Sequence, residues 1–267
     1  MSSNWAWQNE SNGDLGRKSK PRILFIAGGT DGIGFSLFTS EMQRSKYTKI
    51  FVLGRDFTKV RRQLEQRDNS TSQVSQPEIV YVPCDITQPE SIGEVMLFLN
   101  DSFIHDFVFT IGSFHRGKIA DIMPITAAEK GDVVADHFHL NCVSAIHLIR
   151  SMVQKLVKGD SQILVCTASL SVMARSPYAL QSATKAALRA FIDTLRIELK
   201  GRTRVMNLMP PSVDTQIFAK AGDDRATDGY PPPSRIANTM QYMLDCPPDI
   251  CIPEILIEQH HFDIDPE

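Results

Sequence analysis

A run with almost no polar residue, Arg22-Ile23-Leu24-Phe25-Ile26-Ala27, ends in Gly28-Gly29-Thr30-Asp31-Gly32-Ile33-Gly34, and a segment of helical period from Ile33 to Arg44 follows. No other feature of the chain restricts its fold as much. A strand without polar alternation must be covered on both faces, as the strands of a parallel sheet are. Glycines at 28, 32 and 34 let the backbone turn tightly out of that strand and start a helix close against it. The pattern then recurs. Apolar runs at 50–53, 79–82, 107–110, 162–167, 204–209 and 255–257 alternate with helical stretches at 58–66, 92–100, 128–157 and 180–199, and Ser234 is placed to N-cap a last helix. Strands alternating with helices predict an α/β fold: a doubly wound parallel sheet in three layers, helices on both faces.

The 267 residues suit one such domain, expected over 21–267, with residues 1–20 too polar for a secretory signal and expected as a disordered leader in which Trp5 and Trp7 could dock locally. Asp68 to Gln76 reads as a surface loop. Residues 216–233 carry Gly222, Gly229 and the charges Asp223, Asp224 and Arg225 but few core-forming side chains, so they predict a mobile lid. A net charge of -3 argues against nucleic acid or an anionic membrane as main partner, and no apolar run reaches the ~20 residues of a bilayer span. Cysteines at 84, 142, 166, 246 and 251 form no CxxC pair, which favours buried, reduced thiols in a cytoplasmic setting. His260-His261 lacks a spaced third ligand, so no metal is expected.

The glycine turn offers more than a corner. Gly28, Thr30, Asp31, Gly32, Ile33 and Gly34 open the first helix, whose N-terminus presents unpaired N–H groups and the positive dipole end to a phosphate. Arg55, after the second run and directly following Gly54, is placed to meet a ribose 2′-phosphate, where an acidic residue would instead select a free 2′-hydroxyl. These features predict a Rossmann-type dinucleotide site selective for NADP(H), although Asp31 adds a negative charge to it.

The GxxxGxG spacing resembles the short-chain dehydrogenase/reductase family, and further motifs follow in that family's order from Arg22 to Thr215, more loosely to Ile257. Asp85-Ile86 resembles its adenine-contacting pair; Thr110-Ile111-Gly112 stands where it has Asn-Ala-Gly, keeping only Gly112. Pro210-Pro211-Ser212-Val213-Asp214-Thr215 is similar to its nicotinamide loop, with Pro210, Val213 and Thr215 toward the cofactor and Pro211 replacing a glycine. Asn141 corresponds to the active-site asparagine of the long central helix and Lys185 to the catalytic lysine, which also holds the nicotinamide ribose. Ser169 is taken as the catalytic-site serine, although the family's usual spacing lands on Ala168. Where the resemblance calls for tyrosine, four residues before Lys185, the chain has Gln181. An amide donates a hydrogen bond but does not give up a proton near neutral pH as a phenol can.

The resemblance therefore implies an atypical NADP(H)-binding enzyme acting on a small apolar metabolite. It leaves open a reductase with a substitute acid (Tyr178, His115, Arg116 or Arg175), hydride transfer to an acceptor that needs no acid at oxygen, such as an iminium or an activated alkene, a non-redox cyclase or isomerase of secondary metabolism, and an inactive regulatory protein. Apolar residues Ile146, Ile149, Met152, Phe191 and Leu195 on the two long helices, together with the family's habits, predict a homo-dimer or homo-tetramer.

Overall fold

The computed structural model describes residues 21–68, 76–121 and 132–260. The expected leader, most of the loop at 68–76, the start of the long helix at 128 and His261 of the histidine pair lie outside the described residues.

Seven parallel strands form one sheet: β1 (Ile23–Ala27), β2 (Lys49–Gly54), β3 (Glu78–Pro83), β4 (Asp106–Phe109), β5 (Gln162–Cys166), β6 (Arg204–Met209) and β7 (Glu254–Leu256), in the order β3-β2-β1-β4-β5-β6-β7. The order reverses between β1 and β4, which opens a crevice above their carboxyl ends, where ligands of such sheets bind. Alternate residues of β1 explain the absence of polar alternation. Phe25 and Ala27 point into one core, with Ile92, Val95, Leu99, Ala145, Leu148, Leu188 and Ile192 from α3 (Pro89–Leu99), α5 (Ser144–Val153) and α6 (Ala179–Glu198). Leu24 and Ile26 point into the other, with Leu37, Phe38, Val60 and Met240 from α1 (Gly32–Glu41), α2 (Thr58–Asp68) and α8 (Pro233–Leu244). Each large apolar side chain so buried contributes roughly 1.5–3 kcal/mol, and the two cores fix which helix lies on which face. At the far end of the sheet, buried Asp106 accepts from Arg22 at 2.8 Å, Tyr47 at 2.5 Å and Gln162 at 3.0 Å, tying the starts of β1, β4 and β5 together.

Four expectations change. The helix expected over 128–157 is α4 (Val133–Phe138), a π-helical turn at His139–Val143 and α5, ending at Val153. The last helix starts at Pro233 with Pro232, not Ser234, as its N-cap, because proline's fixed φ suits the first helical position. Ile149, Met152 and Leu195 are buried within the chain, and Ile146 and Phe191 pack partly against the same core, so these five do not form an outer apolar face for assembly. Cys84, Cys142 and Cys166 are buried, but Cys246 is half-buried and Cys251 exposed, since both lie in the loops between α8 and β7. Among the described residues no helix is long and apolar enough to cross a membrane.

Candidate active site

The turn from β1 into α1 uses its glycines for distinct purposes. Gly28 and Gly32 have φ of +92° and +54°, the left-handed region that side chains avoid. Gly34 is a close-approach residue: a Cβ there would lie 2.5 Å from Thr110 Oγ1 and closer still to the Gly28 carbonyl. With the ends of β2, β3 and β4, the turn encloses a cavity of about 320 Å³ lined by Gly28, Thr30, Asp31, Gly32, Ile33, Arg55, Asp85, Ile86, Gly112 and Thr215 among the residues expected from the sequence. Gly34 packs behind it. Arg55 stands exposed at the rim, 3.8 Å from Asp85. Asp85 also accepts from the Thr87 backbone at 3.0 Å and hydroxyl at 2.7 Å, so it shapes its own turn while facing the cavity.

Asp31 is not the isolated negative charge the sequence suggested. Its carboxylate N-caps α1 by accepting from Gly32 N–H at 2.9 Å and gathers two ammonium groups, Lys59 from α2 and Lys220 at 2.5 Å from α7 (Ile217–Lys220). Partial burial works against its ionised form, but the bonds from Lys220, Lys59 and Gly32 hold the carboxyl down at about 2. With Arg55, the rim carries three cations against the carboxylates of Asp31 and Asp85. Sequence inspection passed over Lys59 and Lys220, because only the fold brings them together.

A second cavity of about 540 Å³ adjoins the first, and Ile33, Thr110, Gly112, Thr215 and Ile217 line both. Into it face Ser169, Gln181, Lys185, Pro210 and Val213. Ser169 opens a short 3-10 turn after β5 and its N–H is fixed at 2.8 Å on Pro210 O; Ala168 lines the same wall, so both serine registers reach the cavity. Gln181 and Lys185 are one turn apart on α6, hence on one face, and both are buried. Burial also lowers the Lys185 ammonium pKa. Asn141 lines neither cavity. The π-turn that carries it, a feature frequent at functional sites, directs it behind Gly112, where a Cβ would meet both Lys185 Nζ (2.9 Å) and Asn141 Oδ1 (3.0 Å).

His137, absent from the sequence-based expectations, joins these residues. Ser113 N–H donates to Asn141 Oδ1 (2.9 Å), Asn141 Nδ2 donates to Ser113 Oγ (3.0 Å), Ser113 Oγ lies 3.2 Å from His137 Nδ1, and His137 Nε2 lies 2.9 Å from Gln181 Oε1. Asn141 Nδ2 is also 3.2 and 3.1 Å from the two ring nitrogens, over the ring rather than in line with either. Burial pushes the imidazole pKa down to about 4, so His137 is neutral at pH 7. Its spacing of four before Asn141 was the available signal, but a helical histidine at that spacing is common in cores.

Within the segment 216–233, Phe218 and Arg225 pack toward the larger cavity. Phe218 is buried and stacks edge-on against Phe114 at 4.8 Å. The Arg225 guanidinium lies 4.7 Å from the Phe114 and Phe218 rings, donates to Tyr178 Oη at 3.3 Å, and is doubly bonded to Asp223. Phe114, Tyr178, Phe218, Arg225 and Tyr230 thereby roof the larger cavity, which also takes in Leu170, Met173 and Arg175. Of the suggested substitute acids, Tyr178 and Arg175 line it, whereas His115 lies beside His137 and Arg116 lies 3.9 Å from Asp223.

Residues 22–226 match the family model described as short chain dehydrogenase. An uncharacterised oxidoreductase of Staphylococcus aureus (strain MW2) is 25% identical over 242 residues, spanning 88% of this chain and 96% of that one. Among solved structures, an alcohol dehydrogenase from Thermococcus sibiricus complexed with 5-hydroxy-NADP superposes with a TM-score of 0.75 at 19% identity, covering 93% of this chain and all of that one. A short-chain dehydrogenase from Sphingobium yanoikuyae in complex with NADPH gives 0.70 at 18%, covering 84% of each.

Proposed function

The chain belongs to the short-chain dehydrogenase family, and from that premise we propose that it is an NADP(H)-dependent oxidoreductase acting on a small, largely apolar carbonyl compound. The observation that carries this reading is the pair of adjoining cavities sharing Ile33, Thr110, Gly112, Thr215 and Ile217. A dinucleotide laid along the smaller cavity from the adenine end at Asp85-Ile86, past the glycine turn, would end where the larger, aromatic-lined cavity begins. The cradle fits such a ligand: the positive φ of Gly28 and Gly32 and the α1 N-terminus suit a pyrophosphate, and a Cβ at Gly54 would lie 2.7 Å from Thr30 Oγ1. Arg55, with Lys59 and Lys220 nearby, favours the 2′-phosphate of NADP(H) over the bare hydroxyl of NAD(H). The two solved relatives named above were crystallised with NADP-type ligands, which supports the same choice.

When bound, the nicotinamide supplies or accepts hydride. The chain's own part is to hold it, with Lys185 toward the ribose and Pro210, Val213 and Thr215 around the ring, and to orient the substrate beside Ser169 and Gln181. Gln181 stands where the family resemblance calls for tyrosine, so the residue nearest the reacting oxygen donates a hydrogen bond without giving up a proton. Calorimetric titration with NADPH and NADH tests the cofactor reading. NADPH is expected to bind at least about tenfold tighter, as a charge-assisted contact to the 2′-phosphate implies; equal or tighter NADH binding overturns it. NADPH that binds but is never consumed with any member of an enone and ketone panel would instead support a non-redox or regulatory role.

A further inference from the structure

The hydrogen-bond chain behind the larger cavity has a direction, and that direction determines what Gln181 presents to a ligand. Its one end is a backbone N–H, which can only donate. Ser113 N–H donates to Asn141 Oδ1, so the Asn141 amide group must point Nδ2 at Ser113 Oγ. The Ser113 hydroxyl accepts there and keeps its own proton to donate to His137 Nδ1, 3.2 Å away. Gln181 turns Oε1, an acceptor, to the ring, so the single proton of the neutral imidazole sits on Nε2 and is donated to that oxygen. With Gln181 Oε1 facing the ring, the opposite tautomer would set two acceptors against each other across that 2.9 Å contact. Gln181 is left with Nε2 as its free end. That atom has no hydrogen-bond partner among the described residues, and it is not sealed away, since Gln181 lines the cavity.

We infer that Gln181 Nε2, held by His137 and set on the same helical face as the Lys185 ammonium, forms a binding site for an anionic oxygen, an enolate or phenolate, in the larger cavity. This rests on the reading of that cavity as the substrate site. The substrate class follows: compounds whose reacting oxygen carries stabilised negative charge, such as conjugated enones and enolisable 1,3-dicarbonyls, rather than simple ketones whose alkoxide needs a proton at once. His137 is a positioning residue. It lines neither cavity, and its donated proton keeps the Gln181 amide from turning its oxygen toward the larger one, where it would repel an anion. The surrounding Phe114, Tyr178 and Tyr230 rings offer flat apolar walls to the rest of a conjugated ligand.

The test uses 4-nitrophenol as probe, whose phenolate and phenol forms absorb differently, titrated into the full chain with and without NADP+. Binding as the phenolate releases the proton to water, so the probe's apparent pKa reports the preference directly. A hydrogen bond to a charged acceptor exceeds one to a neutral acceptor by enough for about a tenfold preference. The wild type is therefore expected to lower the bound probe's pKa by about one unit. Gln181→Leu and His137→Phe should abolish that shift, while His137→Gln, which keeps an N–H donor near the Nε2 position, should retain most of it. A merely structural role for His137 would predict loss in both His137 variants in proportion to their loss of thermal stability, and that result overturns the inference. So does a wild type with no phenolate preference, or a Gln181→Leu variant that keeps it. NADPH titrations on the same samples separate the two readings, because failure of cofactor binding counts against the proposed function and leaves the apo-chain probe result standing.

Discussion

Gly34 offers a sharp test of how the turn from β1 into α1 is built. It lies in the first turn of α1, and ordinarily Gly→Ala inside a helix stabilises by roughly 0.5–1 kcal/mol. Here the added methyl would sit 2.5 Å from Thr110 Oγ1 and 2.9 Å from the Gly28 carbonyl carbon. Neither neighbour can give way cheaply. Thr110 Oγ1 is bonded to Ala27 O at 3.1 Å, and Gly28 N–H is bonded to Leu53 O at 3.0 Å while its φ is already +92°. Overpacking of this kind costs about 1–3 kcal/mol, enough to reverse the helix-propensity gain. Gly93, on the exposed side of α3 with nothing within 4 Å of its would-be Cβ, is the matched control. In urea unfolding, Gly34→Ala should lose about 1–2 kcal/mol net and Gly93→Ala should gain about 0.5–1. NADPH affinity should fall about tenfold or more in the first, because α1 must move off the turn by a few tenths of an ångström, and stay unchanged in the second. Equal stabilisation by both substitutions would refute the close-approach role of Gly34.

Arg55→Ala should weaken NADPH binding by roughly 10- to 100-fold while leaving NADH binding unchanged in calorimetry, the size of a lost charge-assisted contact. His137 has its pKa lowered on folding from 6.5 to about 4, so between those values the unfolded chain binds the extra proton. Stability should then fall as pH drops from 6.5 toward 4, and His137→Phe should flatten that part of the urea-midpoint profile; an unchanged slope would show that the imidazole is not held neutral. Arg225→Ala removes the guanidinium that stacks on Phe114 and Phe218 and bonds Tyr178 and Asp223, so limited proteolysis should cut within 216–233 several-fold faster, with no change elsewhere. Gln181→Tyr should not convert the protein into a reducer of simple ketones, because Thr110, Pro211 and the buried His137 surround the new phenol with a site built for a different side chain; a gain of 10²-fold or more would contradict this.

The fold was legible because its signal is local and repeated. Each of β1, β2, β4 and β5 is a short apolar run, and the glycine turn sits at the first junction, so the three-layer fold follows from the alternation of strands and helices, and the position of the cleft from the glycine turn. Within the site, residues on one helix turn, such as Gln181 and Lys185, were legible for the same reason. What sequence could not supply was convergence. Lys59 and Lys220 lie 28 and 189 residues from Asp31 and meet only because α2 and α7 border the same turn. His137 meets Gln181 across 44 residues, and the meeting depends on the π-turn at His139–Val143, for which no residue type is diagnostic. Nor could composition show that half-buried Arg225, a charge on paper, packs against aromatic rings with its guanidinium bonded to Asp223. It misled over Ile149, Met152 and Leu195, whose helices lean far enough onto the sheet to bury them within one chain.

Whether hydride leaves a bound nicotinamide at the junction of the two cavities is decided most directly by isotope transfer. NADPH carrying two deuterium atoms at C4 would be incubated with the protein and a panel of conjugated enones, and the products weighed by mass spectrometry. One deuterium is expected at the β-carbon of at least one reduced enone, with NADP+ formed in equal amount and with transfer lost in Lys185→Ala. NADPH that binds with high affinity yet leaves every enone, diketone and ketone unlabelled and unreduced would contradict the assignment of this site to oxidoreduction.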